Sequence, residues 1–303
     1  MGREKRFILN FGIAVVLGCF FFTPPAYPST TSSLQMTGTD FFKLGVEKML
    51  SGEYQHAIQD FTQALQLKSN SAAVYNNRCL AYLQIQDYQN AIADCNQAIE
   101  KASSNTEAYL NRGLAHYRQG DYSDAIADNN QVLSLKPYDF RAYYNRGLAN
   151  AMLGNHQQAI ADYNLSLSQI SQYSAPLLAG IYNDRGLAHF DLRDLQAAML
   201  DFSLAIRLNP KDYRAYFNRG CVCGQYGDNF GAVRDFSVAI RLNPSNGLAY
   251  VNRGITYYQL GDEQAAIVDL QKAVQYFGHQ RQTVAYQKTL DLIKQLFMKK
   301  LWI

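Results

Sequence analysis

Arginine and aspartate recur along this chain at a fixed spacing, and that spacing limits the chemistry they can do. Arg78, Arg112, Arg146, Arg185, Arg219 and Arg253 follow one another at steps of 34, 34, 39, 34 and 34 residues. Asp60, Asp94, Asp128, Asp162, Asp201, Asp235 and Asp269 keep the same period. A row of acid–base dyads repeated so regularly would serve no single reaction. Charged residues on a packing stripe must be paired, so these are read as structural ion pairs. Leu44 stands where the first unit would carry its arginine, and that unit has no predecessor. The exception points to pairs between successive units: Asp60–Arg78, Asp94–Arg112, Asp128–Arg146, Asp162–Arg185, Asp201–Arg219 and Asp235–Arg253.

Other reactive side chains give weaker signals. The five histidines, His56, His116, His156, His189 and His279, are scattered. No phosphate-binding loop, His-Glu-x-x-His pair or nucleophile elbow is present, and the chain is read as a non-enzyme with neither metal nor cofactor. Of the five cysteines, Cys221 and Cys223 diverge on a helix and show no zinc spacing. Cys79 and Cys95 fall on the two helices of one unit, where an oxidising compartment would allow a bond. The expectation is that both are small apolar fillers. With 28 basic and 25 acidic residues the net charge is +3. That balance gives no footprint for nucleic acid.

The elements that position these residues are legible in one unit, Thr106 to Asp139. Tyr109, Gly113 and His116 share a helix face, and Gly120-Asp121 breaks that helix. Tyr122, Ala125, Asn129 and Val132 then mark a second helix, which Pro137 ends. Seven copies run from Gly38 to Phe277, anchored at Gly45, Cys79, Gly113, Gly147, Gly186, Gly220 and Gly254, counted as position 8. Alanine fills position 20 in all seven: Ala57, Ala91, Ala125, Ala159, Ala198, Ala232 and Ala266. Mid-helix glycine costs about 1 kcal/mol against alanine. Its recurrence is explained by close approach of the partner helix. Such a period means a solenoid, whose units stack to bury a shared core.

An aromatic at position 4, glycine at 8, alanine at 20, a small or apolar residue at 27 and proline at 32 resemble the tetratricopeptide repeat. Asn-Arg-Gly at positions 6 to 8 is similar to a bacterial subgroup of it. The resemblance implies an all-α, right-handed superhelical solenoid of seven helix pairs over residues 38–279. Residues 280–303, with the amphipathic run Gln282 to Lys300, form a C-terminal cap. It also implies that first helices line a concave groove for a protein or peptide partner. Positions 2, 6, 9 and 13 are expected to face it. Asn77, Asn111, Asn145, Asn218 and Asn252 at position 6 resemble the asparagine ladders that hold a peptide backbone, though each could instead bond a neighbouring repeat. Leu114 and Leu148 at position 9, with Tyr144 and Phe217 at position 5, are expected to receive apolar side chains. The lysine–asparagine clamp for acidic tails is not reproduced. The resulting reading is a protein-interaction scaffold, the alternative an assembly chaperone holding precursor segments.

Two further expectations concern the leader and an insertion. Arg3, Lys5 and Arg6 precede an apolar run, Phe7 to Phe22, and a turn-rich stretch through Pro24, Pro25 and Pro28. This is the layout of a secretory signal, so residues 1–37 are read as a signal peptide or membrane anchor. The chain is expected to be exported, periplasmic or membrane-anchored, touching membrane only through this segment. Val16-Leu17-Gly18-Cys19 resembles a lipobox, but Phe20 to Phe22 prolong the apolar run, so ordinary cleavage or a retained anchor fits better. Five extra residues fall near 168–178. Ser174 and Pro176 predict a helix starting early, at about Ala175.

Overall fold

The structure, a computed structural model, describes residues 36–69, 71–170 and 175–297. The leader with its basic cluster, the Cys19 lipobox and the cap residue Ser174 lie outside them. Among the described residues the elements are all helices. The chain divides into two compact units between Gln169 and Ile170, at the insertion.

The first unit holds four helix pairs: α1 (Gly38–Leu50) with α2 (Tyr54–Gln66), α3 (Ala72–Gln84) with α4 (Tyr88–Lys101), α5 (Thr106–Gln119) with α6 (Tyr122–Leu135), and α7 (Phe140–Met152) with α8 (His156–Gln169). The second holds three: α9 (Ala175–Asp191) with α10 (Leu195–Leu208), α11 (Tyr213–Tyr226) with α12 (Asn229–Leu242), and α13 (Gly247–Gln259) with α14 (Glu263–His279). Helix α15 (Thr283–Phe297) packs on α14, with Phe297 edge-on to Tyr258 at 5.5 Å. Within each unit every first, or A, helix packs on its own second, or B, helix, and each B helix packs on the next A helix. Helix α9 begins at Ala175, four residues ahead of the repeat position at which the other A helices start.

Local sequence sets these boundaries. Asp87, Asp194, Asp228 and Asp262 precede B helices and accept from the backbone N–H three residues on, at 3.3, 3.1, 2.8 and 3.0 Å. Thr37, Ser71, Asn105 and Asn246 cap A helices the same way, while Asp139 and Asp212 accept from the N–H two residues on. Such caps satisfy donors the helix leaves open. The turn between the two helices needs a left-handed residue at position 15. Gly52, Gly120, Gly154, Gly227 and Gly261 supply it with φ of 78° to 99°, while Gln86 and Arg193 are held there at 63° and 64°.

The core explains the glycine at position 8 more sharply than close helix approach does. Position 24 lies level with it across the hairpin, and its side chain fills the space a Cβ would need. A methyl built on Gly147, Gly186 or Gly220 would meet the ring of Tyr163, Phe202 or Phe236 at 2.7–2.8 Å. These rings are wholly or almost wholly buried. In the second copy Cys79 replaces the glycine and Cys95 replaces the ring. The two are joined by a disulfide with Cα atoms 5.5 Å apart. They are therefore not the free apolar fillers expected from sequence. Equal height on facing antiparallel helices puts them within bonding distance.

Candidate functional site

The ion pairs that position the A helices come first, because they overturn an expectation. Each of the six arginines bonds the aspartate of its own copy. Arg78 pairs with Asp94, Arg112 with Asp128, Arg146 with Asp162, Arg185 with Asp201, Arg219 with Asp235 and Arg253 with Asp269, at 2.5–2.7 Å. The expected pairs with the preceding copy, from Asp60–Arg78 to Asp235–Arg253, are replaced throughout, and Asp60 forms no ion pair among the described residues. The reason is helical geometry. A B helix is flanked by its own A helix on one side and the next A helix on the other, and position 23 faces its own.

Position 25, two residues on and about 200° further round at 3.6 residues per turn, faces the next. There the arginines find a second acceptor. Arg78 Nη1 donates to Thr62 at 2.9 Å, Arg112 to Asn96 at 2.6 Å, and Arg146 to Asn130 at 2.7 Å. Arg219 donates to Ser203 at 3.3 Å and Arg253 to Ser237 at 2.8 Å. Each of these guanidiniums thus closes its own hairpin through a fork and links to the preceding copy through a third N–H. The guanidinium carbon of all six, Arg185 included, also sits 5.2–5.9 Å from the ring of a tyrosine at position 4, from Tyr75 to Tyr250. That contact accounts for six tyrosines structurally. For Arg112 the bond to Asp128 is the main cause that raises the guanidinium pKa, burial opposing it. The position-25 acceptors were missed in sequence because Thr, Asn and Ser share only small size and polarity.

The asparagines at position 6 are brought into two short series. In the first unit Asn77, Asn111 and Asn145 stand on the neighbouring helices α3, α5 and α7. Asn77 donates to its own helix at Ala73 O, 2.9 Å away. Asn111 donates to Asn76 Oδ1 of the preceding copy at 3.1 Å. In the second unit Asn218 donates to Asn183 Oδ1 at 2.9 Å, and Asn252 to Cys221 Sγ at 3.5 Å. Asn111, Asn218 and Asn252 therefore act first as links between repeats. Asn145 differs. Its Oδ1 is buried without a hydrogen-bond partner. The residues equivalent to the acceptors used elsewhere are Leu110 and Leu114, which carry no polar atom.

Around Asn145 the charges are paired. Glu107 and Arg141, both at position 2, join α5 to α7 through a fork of 2.8 and 2.9 Å. Arg141 also bonds Asp139 at 2.8 Å. Of the apolar residues expected to line a groove, Leu114 is half-buried and accessible. Tyr144 and Leu148 are wholly buried and cannot receive a partner's side chain. Tyr144 instead packs on Tyr163, ring centres 6.0 Å apart, and Phe217 packs on Phe236 at 5.8 Å. In these two copies position 5 packs on position 24.

No group of three or more metal-ligating side chains gathers among the described residues. Burial pushes the Cys221 thiol up to about 12, away from the thiolate form that a nucleophile needs. No described helix is long and apolar enough to cross a membrane.

Family models of the tetratricopeptide repeat match residues 42–106, 80–140 and 110–175, and a second set matches 179–212 and 248–277. No curated protein matches the sequence. Three solved structures show the same fold. A tetratricopeptide repeat protein from Parabacteroides merdae is 18% identical with a TM-score of 0.66, over 84% of this chain and 98% of that one. PilW, a type IV pilus biogenesis factor, is 18% identical with a TM-score of 0.65, over 72% and 98%. The structure of the Cut9–Hcn1 complex of the APC/C is 15% identical with a TM-score of 0.64. There the match covers 73% of this chain but 43% of the other.

Proposed function

Since the chain belongs to the tetratricopeptide repeat family, we propose that it is an exported interaction scaffold that holds an extended segment of a partner protein against the inner face of α3, α5 and α7. The observation that carries this is the buried, unpartnered Oδ1 of Asn145. A buried acceptor without a donor costs about 1–3 kcal/mol. The Asn145 side chain as a whole is half-buried, and its rotation would bring Oδ1 out to meet a backbone N–H of a bound segment. An amide can make four hydrogen bonds and the Asn111 contact to Asn76 uses one, so Asn111 can serve both stack and segment. Half-buried Leu80 and Leu114 give apolar side chains a place to settle. The Glu107–Arg141–Asp139 cluster pairs one guanidinium with two carboxylates and keeps one net negative charge, which disfavours a strongly acidic segment.

Affinity selection from a random peptide library, with the full chain as bait, tests this reading. Selected peptides are expected to bind wild type and to lose at least fivefold in affinity for Asn145→Leu, while that variant melts no lower than wild type. Failure to select any peptide, or equal binding by the variant, contradicts it. Export follows from the leader. A reporter fused after Thr39 is expected to be active only in the exported compartment, and cytoplasmic activity contradicts that part.

A further inference from the structure

The second repeat is built differently from its neighbours at the level where the two helices of a hairpin touch. Copies one, four, five and six seal that level with a ring over a glycine: Phe61 on Gly45, Tyr163 on Gly147, Phe202 on Gly186 and Phe236 on Gly220. In the second copy the same two positions are Cys79 and Cys95, 16 residues apart, joined covalently and fully buried. Neither position carries a ring; the sulfurs pack with Leu83, Ala91 and Ala115, and the bond is the covalent link between α3 and α4 at this level. Helix α3 is also what α1 and α2 pack against. The first repeat is therefore attached through the stapled one.

We propose that the Cys79–Cys95 bond is a redox-set lock on the second repeat, closed where thiols are oxidised and opened by reduction. Closing it requires an oxidant of the disulfide class, such as oxidised glutathione or an oxidoreductase disulfide. One cysteine thiolate attacks an oxidant sulfur, forming a mixed disulfide and releasing one oxidant thiolate. The other cysteine thiolate then attacks the protein sulfur of that mixed disulfide and releases the second. Two electrons pass to the oxidant and two thiol protons to solvent. Because both sulfurs are buried, the bond resists small reductants until α3 and α4 part. The closed lock calls for a working compartment in which disulfides persist, a requirement separate from the leader.

Hydrogen exchange on the purified full chain, in buffers of graded oxidised and reduced glutathione, tests this. The oxidised chain is expected to weigh two hydrogens less than the reduced one. On reduction, amides of α1 to α4 are expected to exchange about a hundredfold faster, the scale for opening a loop of this length, while α9 to α14 keep their rates. The double variant Cys79→Gly, Cys95→Phe restores the ring-over-glycine pair of copies one, five and six. It is expected to exchange slowly at every glutathione ratio. Equal exchange by oxidised and reduced wild type overturns the lock, as does a glutathione response in the double variant. Thiol alkylation under denaturing conditions, on cells quenched in acid, is expected to leave both cysteines unmodified. Their alkylation overturns the compartment claim even if the reporter fusion shows export.

Discussion

At the scale of single residues, the arginine at position 7 is the chain's most reused part. It closes a hairpin, reaches the preceding copy and lies on a tyrosine. Its aspartate is 2–8% exposed and the arginine 16–24%. Asp128→Ala leaves Arg112 uncompensated. The expected loss is about 2 kcal/mol, below that of a fully buried pair because Arg112 keeps some water. Chemical denaturation measures it. Asp60 makes the opposite case. It lacks an arginine, and burial raises its pKa, with Lys48 and His56 opposing. The folded state thus binds this proton more tightly than the unfolded chain does. The associated stability is present in acid and lost as pH rises through the folded pKa. Asp60→Asn is therefore expected to match wild type in acid and to equal or exceed its stability at neutral pH. A loss at neutral pH would show an unrecognised favourable role for the charge.

At the scale of elements, each hairpin depends on one left-handed turn residue and on the contact between positions 8 and 24, a ring over glycine in copies one, four, five and six. Gln86 adopts a conformation that side chains resist by about 1–2 kcal/mol. Gln86→Gly is expected to gain about 0.5–1 kcal/mol, read as a higher melting temperature. Gly220→Ala gains helix propensity but pushes a methyl to 2.7 Å from the buried Phe236 ring. A net loss of about 1–2 kcal/mol is expected. A melting temperature equal to wild type would show that the ring yields freely. These elements were largely legible in sequence. Turn glycines, capping aspartates and the alanine at position 20 each answer to a local requirement, so they repeat as residue types. Partner choice was not legible. The aspartate before each arginine and the one after it are chemically identical, and only the direction of position 23 around its helix decides between them. Cys79 and Cys95 carried a usable signal, since their spacing of 16 equals that of the Arg–Asp pairs. What was missing was the knowledge that positions 8 and 24 touch.

At the scale of the molecule, the repeat period was plain because stacking forces every copy to solve the same packing problem. The inner-face site was legible only in part. Its asparagines were found by their position. Sequence could not show that Asn111, Asn218 and Asn252 spend a donor on their neighbours, or that Tyr144 and Leu148 are sealed in the core. What remains accessible in the first unit is narrower than the ladder first read: Asn145, part of Asn111, and Leu80 and Leu114. The central claim is that this face, and not the outer surface, holds a partner. Site-specific photo-crosslinking in the native cell tests it most directly, with the crosslinker placed at Leu114 on the inner face or at exposed Gln131 on α6. The account predicts one recurrent protein adduct from Leu114, lost when Asn145→Leu is added, and none from Gln131. An adduct from Gln131 with none from Leu114, or a Leu114 adduct indifferent to Asn145→Leu, would contradict it.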